Sequence, residues 1–316
     1  MCRRESCKVN KDSEMKEPLV SICCITYNHA PYIRQCLEGF LIQKTTFPFE
    51  ILIHDDASTD GTADIIREYE ARYPHLIKPI YQVENQYSKG IEILSTYNYS
   101  RAKGKYIALC EGDDYWTDPL KLQKQVHIME THPTLALCTH NFNVLENFDG
   151  KEKFVDRTGY TKDFFYGLKK YFRYWPTQPL TALFRKDCLP CQNEVQEYSY
   201  YRDNHLFYYI LKKGKGFYIS DKMGVYRKHS NGIYAQLSLL KKITIDLDCY
   251  IELYIKNKGD FFLWKTCVNY YALLMWHKRG TDNDENYSLE IRKQIGLIGT
   301  GLAYLRIGYL FLKKSL

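Results

Sequence analysis

The 316-residue sequence lacks both glycine-rich signatures that mark the commonest nucleotide sites of α/β proteins. No GxGxxG follows the first apolar run, which argues against a dinucleotide-dependent oxidoreductase. No GxxxxGK followed by Ser or Thr occurs, so a P-loop enzyme is excluded. No Lys/Arg run interleaves with aromatics in a recognised nucleic-acid module, and no nucleic-acid partner is expected. The lone CxxC, Cys188 to Cys191, has no second ligand pair at suitable spacing, which argues against a structural zinc. The 11 cysteines are odd in number and scattered. Cys23, Cys24 and Cys110 sit inside apolar runs, where free Cys acts as a small hydrophobe. Residues 1–18 are polar, carry no apolar signal core and read as a disordered leader, so a reducing cytoplasm is the expected location.

What is present is ordinary in bulk. Hydrophobic residues make 45% of the chain and charged residues 26%, as in a soluble globular protein. The 44 Lys and Arg against 37 Asp and Glu give a net charge of +7, which favours anionic partners such as nucleotides or acidic lipid surfaces. The 29 Tyr suit a sugar-binding or a membrane-facing surface without choosing between them.

Apolar runs alternate with helical patterns from Leu19 to Thr131. Leu19–Thr26, Phe49–His54 and Tyr106–Cys110 are short and continuously apolar, which predicts strands buried on both faces. Ile77–Val83 is a weaker strand because it contains Pro79. Helices are predicted from about Pro31 to Lys44, from Thr62 to before Pro74, over Ile91–Lys103 and from about Pro119 to Thr131. Such alternation predicts an α/β fold, a mostly parallel sheet with helices on both faces. Ligands of these sheets lie beyond the carboxyl ends of the strands. Three of those ends carry polar residues that would converge: Thr26-Tyr27-Asn28, Asp55-Asp56 and Glu111-Gly112-Asp113-Asp114.

The last of these is the most demanding. Two carboxylates about 4 Å apart repel by roughly 4 kcal/mol at an effective dielectric of about 20. A hard divalent ion relieves that cost, and Mg²⁺ and Mn²⁺ are commonly held by one or two carboxylates plus substrate phosphates. The competing reading is a solvated acidic turn.

The ordered set VSICCITYNHAPYI, EILIHDDASTDGT and KGKYIALCEGDDYW resembles the family-2 glycosyltransferases, which have a GT-A fold. PLTALFRKD, YYRDNHLF and GVYRKHSNGI are similar to the family's acceptor-side segments, which extends the resemblance to about Ile233. It implies transfer of a sugar, with inversion, from a nucleotide-diphosphate donor to an acceptor hydroxyl. Tyr27 and Asn28 would pack on the nucleotide base, and Asp56 would accept from the base NH of a uracil-type donor. Asp55 is either a further donor contact or a turn acid. Glu111-Gly112-Asp113 occupies the DxD position, with Glu111 where Asp is usual. Asp113 would bind Mn²⁺ or Mg²⁺, Glu111 would reach ribose or metal, and Asp114 would assist or orient the loop. Asp203 matches the catalytic base, its competing role being a helix N-cap. Arg227 and Lys228 would pair with phosphate oxygens, and His229 would complete the metal shell or touch phosphate. Trp175, Thr181 and Arg185 would line the acceptor pocket, the acceptor being a saccharide or lipid-linked saccharide. Residues 19–131 would be the nucleotide-sugar half of a domain ending near residue 235, and 132–235 the acceptor half.

Two other functions share parts of this pattern. A sugar-phosphate nucleotidyltransferase uses a similar layered fold and a metal, but wants a Gly- and Arg-rich first loop, which TYNHAPYI is not. A non-catalytic nucleotide-sugar or glycan-binding protein would keep Asp56 without needing Asp113 and Asp203.

Residues 236–316 read as a helical extension. Leu237–His277 is rich in aromatics, and Asp282–Asn286 is a polar linker. Ile295–Leu312 is nearly all apolar but for Arg306. As a helix it would be about 27 Å long at ~1.5 Å per residue, against a hydrocarbon core of about 30 Å. Arg306 would cost roughly 2.5–3.5 kcal/mol inside that core. An interfacial helix with Lys313 and Lys314 on the acidic inner leaflet fits better than a spanning one.

Overall fold

The computed structural model describes residues 17–148, 151–155, 160–230, 232, 234, 236–278 and 285–314, with no account of the side chains beyond residue 310. The leader expected over residues 1–18 lies almost wholly outside these residues.

The chain runs β1 (Val20–Thr26), α1 (Ala30–Leu41), β2 (Phe49–Asp55), α2 (Thr62–Arg72), β3 (Ile77–Tyr81), β4 (Tyr106–Glu111), β5 (Tyr115–Trp116), α3 (Lys121–Thr131), β6 (Leu135–Phe148) and β7 (Lys151–Val155). It continues with β8 (Phe164–Tyr166), α4 (Leu168–Tyr174), β9 (Leu183–Arg185), α5 (Gln192–Gln196), α6 (Asp203–Lys213), β10 (Lys215–His229), α7 (Leu239–Lys256), α8 (Phe261–His277) and α9 (Glu285–Lys314). Among the described residues one ten-stranded sheet forms, in the order β3-β2-β1-β4-β9-β6-β10-β5, with β7 added on β6 and β8 on β10.

The first half is the parallel sheet that the apolar runs predict. β1 pairs in parallel with both β2 and β4, and β2 with β3. Alternate side chains explain the unbroken apolarity. Ile22, Cys24, Ile51, Ile53 and Ala108 meet Ile33, Leu37 and Phe40 of α1 and Ile66 of α2. Cys23, Leu52, Ile107 and Leu109 meet Tyr99, Phe184 and Phe207 in a second core. With both faces covered, a polar side chain on these strands is costly unless it finds a partner. The helix expected over Ile91–Lys103 is shorter, a π-helical turn over Leu94–Tyr99.

The second half is mixed. β9 runs antiparallel between β4 and β6. β6 and β10 are parallel, and the register of β10 shifts on both sides of Lys222. Register shifts of this kind bend and twist a strand. Before the bend β10 pairs with β8, and after it with β5. This carries residues 225–229 back toward the end of β4, where the acid turn begins.

α7, α8 and α9 pack on α6 through a third core that includes Tyr208, Leu247, Tyr250, Leu263, Cys267 and Tyr271. The helical stretch expected over Leu237–His277 breaks at Gly259, whose φ is +96°. Asp260 then caps α8 by accepting from the backbone N–H of Phe262 (3.0 Å) and Leu263 (3.1 Å). α9 kinks at Gly296 (φ 73°, ψ 177°). Beyond the kink Leu297 (93%), Ile298 (75%) and Leu305 (71%) are exposed. Among the described residues, no helix is long and apolar enough to cross a membrane.

Candidate active site

The loops after β1 and β2 are tied to each other before any ligand is considered. Asn28 takes a positive φ of 54°. Its N–H donates to Ser58 Oγ at 2.9 Å and its Oδ1 accepts from Thr59 N–H at 2.8 Å. His29 N–H donates to Thr62 Oγ1 at 2.8 Å, and Ala30 N–H to Asp60 Oδ2 at 2.9 Å. Tyr27 projects into solvent from this braced loop, 45% exposed. Asp55 is buried and accepts from the Ser58 hydroxyl at 2.5 Å and the Ser58 N–H at 3.3 Å, a turn-forming arrangement. Asp56 is also buried. Its two oxygens accept from Gln86 N–H at 2.7 Å and Tyr87 N–H at 3.0 Å.

The acid turn follows β4. Gly112 is required there because a Cβ would lie 2.6 Å from Thr26 Oγ1 and 3.1 Å from His29 Nδ1. Glu111 is pushed up to about 8, first by burial and then by the charges of Asp113 and Asp203. Asp114 accepts from Arg227 N–H at 2.8 Å. Burial and its two acidic neighbours hold its carboxyl well above the usual range. Asp113 behaves in the opposite way. Burial would raise it, but the hydrogen bond from His229 and the charges of His29 and His229 keep it below the usual range.

Three side chains from three elements face one point. Asp113 Oδ2 lies 3.1 Å from His229 Nε2 and 3.9 Å from His29 Nε2. One ligand atom from each of the three falls within 4.8 Å of the others, and Glu111, Asp113 and Asp114 form an overlapping group of the same size. Asp113 Oδ1 and Asp114 Oδ2 are buried and have no hydrogen-bond partner among the described residues. An unpartnered buried polar group costs about 1–3 kcal/mol. Unpaired carboxylate oxygens beside imidazole nitrogens are a donor set that fits a divalent cation.

Asp203 opens α6, and its charge adds to the upward push on Glu111. Its Oδ1 accepts from Asn204 N–H at 2.9 Å. The N-cap position belongs to Arg202. Burial raises the Asp203 carboxyl above its ordinary value. Trp175 is nearby in the fold, 5.0 Å from the Tyr171 ring, and the Tyr171 hydroxyl also feels the charge of Asp203.

Other residues singled out by sequence have different surroundings. Arg227 is buried under the acid turn, donating to the Asp113 carbonyl at 2.5 Å and to Gln35, with its guanidinium 4.4 Å from the Tyr115 ring. It braces the turn from behind. Lys228 points to the other face of β10, where it meets Glu146 at 3.1 Å. Thr181 is fully buried and bonds the Gln178 carbonyl at 2.8 Å. Arg185 pairs in register with Tyr106 at the start of β4, five residues and roughly 16 Å from Glu111 by strand rise. Its guanidinium bonds the carbonyls of Leu135 and Met129, both at 2.7 Å. The structure therefore does not bring Lys228 or Arg185 to the cluster. Conversely, His29 belongs to the cluster without any sequence motif marking it. Its only sequence signal is its place directly after Asn28 at a strand end.

Comparison with known proteins agrees with this geometry. The sequence model described as Glycosyl transferase family 2 matches residues 21–206. An uncharacterized protein of Mycobacterium tuberculosis is 37% identical over 217 residues, covering 68% of this chain and 60% of the relative. The chain thus spans less than two thirds of that relative's length. The Escherichia coli protein WfaP, named as a UDP-Glc:alpha-D-GlcNAc-diphosphoundecaprenol beta-1,3-glucosyltransferase, is 39% identical over 113 residues, 36% of this chain and 42% of WfaP. The crystal structure of Staphylococcus aureus TarS with UDP-GlcNAc matches with a TM-score of 0.60 at 17% identity, covering 90% of this chain and 80% of that one. The mannosyltransferase PcManGT of Pyrobaculum calidifontis, in complex with GDP-Man and Mn²⁺, gives 0.53 at 15% identity, covering 94% and 81%. These two likenesses establish the GT-A type of fold.

Proposed function

Since the chain belongs to glycosyl transferase family 2, we propose that it moves a sugar, with inversion, from a nucleoside-diphosphate donor of the UDP type to an acceptor hydroxyl. The product would be a surface or capsular polysaccharide. The observation that carries this reading is the cluster of Asp113, His229 and His29 at the carboxyl end of β4 in a family-2 chain, with unpartnered buried carboxylate oxygens on Asp113 and Asp114.

Each residue has a part in that reaction. Asp203 takes the proton from the acceptor hydroxyl. A carboxyl raised by burial is a better proton acceptor near neutral pH than an ordinary one. Asp113 and His229 would hold the metal, Mn²⁺ or Mg²⁺, which would supply Lewis-acid stabilisation of negative charge on a diphosphate leaving group. Glu111 reaches the ribose, and Tyr27 offers its exposed ring to the base. Asp56 holds the 86–87 backbone beside the base and presents its carboxylate to the base NH. Asp114 and Arg227 keep the acid turn in shape from below. Trp175 lines the acceptor side.

The helix beyond Gly296 supplies a place for a lipid-linked acceptor. Its exposed Leu297, Ile298, Leu302, Leu305 and Tyr309 form an apolar face on one element. A face of this kind lies in a membrane interface, and the net charge of +7 favours anionic lipid. WfaP is named for a diphosphoundecaprenol acceptor, which supports the same choice.

Replacing Asp203 with Asn tests the mechanism. Turnover measured as nucleoside diphosphate released in the presence of acceptor should fall on the order of 10²–10⁴-fold, while UDP binding stays as in the wild type. Release that survives this change would refute the role of Asp203.

A further inference from the structure

His29 holds the start of α1 but does not cap it. It occupies the N-cap position, yet its side chain makes no capping hydrogen bond. Its backbone N–H is fixed on Thr62. Its Nδ1 is buried without a partner among the described residues. The ring stands edge-on to that of His229, centroids 6.2 Å apart at 89°. Gly112, by lacking a side chain, leaves the room the ring needs beside the acid turn. Helix geometry therefore gives no reason for an imidazole here, while its Nε2 faces Asp113.

We propose that His29 is a third protein ligand of the divalent-ion site, so that one carboxylate and two imidazoles, Asp113, His229 and His29, set its preference against Mg²⁺. The inference deepens the reading of this crevice as a metal site and rests on it.

The distances suit the role. Donors bound at about 2.1 Å in adjacent positions around an ion lie about 3 Å apart when octahedral and about 3.5 Å when tetrahedral. His229 Nε2 at 3.1 Å from Asp113 Oδ2 already has that spacing, and His29 Nε2 at 3.9 Å needs to close by less than 1 Å. The ligands come from the β1–α1 loop, the turn after β4 and the end of β10. The loop is braced against the β2–α2 connection and the turn against Arg227. Mg²⁺ prefers oxygen and keeps its waters, whereas affinity at a nitrogen-containing site rises from Mn²⁺ through Fe²⁺ to Co²⁺. The expected order at this site is Mg²⁺ well below Mn²⁺, with Mn²⁺ below Co²⁺.

The experiment is electron spin-echo and titration spectroscopy of Mn²⁺ bound to the full chain with UDP. Wild type should show couplings from two histidine nitrogens. His29→Ala and the bulkier His29→Gln should each show one, with Mn²⁺ affinity lowered about tenfold or more and Mg²⁺ affinity changed less than twofold. Thermal unfolding of both variants confirms that they are folded. A single nitrogen in the wild type, or unchanged Mn²⁺ affinity in both variants while Asp113→Asn abolishes binding, would overturn the role of His29 and leave the metal site standing. No Mn²⁺ binding to the wild type would overturn both.

Discussion

The two ends of the same three strands treat polar groups in opposite ways. At the amino ends of β1, β2 and β4, the buried acid Glu50 and the Tyr106 hydroxyl are both fully partnered. Glu50 accepts from Ser21 Oγ at 2.7 Å, Lys78 Nζ at 2.7 Å and Lys103 N–H at 2.8 Å. Tyr106 donates to Glu130 at 2.7 Å and accepts from Arg185 at 3.2 Å. At the carboxyl ends, Thr26 Oγ1, Asp113 Oδ1, Asp114 Oδ2 and the Nδ1 atoms of His29 and His229 are buried with no partner among the described residues. Both sets lie against one core, so general looseness does not explain the difference. One end is finished by the chain's own hydrogen bonds, and the other keeps buried polar atoms that no described residue partners, as the proposed metal site requires.

Variants at the two ends should therefore part ways. The largest change in stability belongs to the amino end. Glu50→Ala strands the Ser21 hydroxyl and the Lys103 N–H, at about 1–3 kcal/mol each. Urea unfolding should show a loss of about 2–6 kcal/mol, with turnover per folded molecule unchanged. Impaired metal binding in that variant would erase the distinction drawn between the ends. The smaller effect has the opposite sign. Asp114→Asn keeps an oxygen for Arg227 N–H and removes a carboxyl crowded by two others. It should raise stability at neutral pH by about 1 kcal/mol, as expected for a site whose charges serve a ligand at the expense of the fold, and weaken Mn²⁺ binding. A destabilised variant with full metal affinity would mean that Asp114 serves only the fold.

Much of this contrast is legible in the sequence, and the missing parts have physical causes. The strands of the parallel half are buried on both faces, so their side chains form continuous apolar runs that any reading detects. The acids at their ends stand out because they interrupt such runs. β6 is harder to see, since LALCTHNFNVLENF mixes polar with apolar residues along one long strand. The register shifts in β10 hide its course in a similar way. Those shifts bring His229 to Asp113 across 116 residues, a closure that no local pattern encodes. His29 could be recognised only after that closure. Arg185 shows the converse. It lies in a segment that resembles the acceptor side, but β9 runs antiparallel to β4, so its last residue lies at the finished end of the sheet.

The most direct test of the unfinished end is the calorimetric affinity of UDP with and without Mn²⁺, for the wild type and for Asp113→Asn. The structure predicts that Mn²⁺ tightens UDP binding to the wild type at least tenfold and has no effect on the variant. Equal UDP affinity of the wild type in Mn²⁺ and in chelator would contradict it.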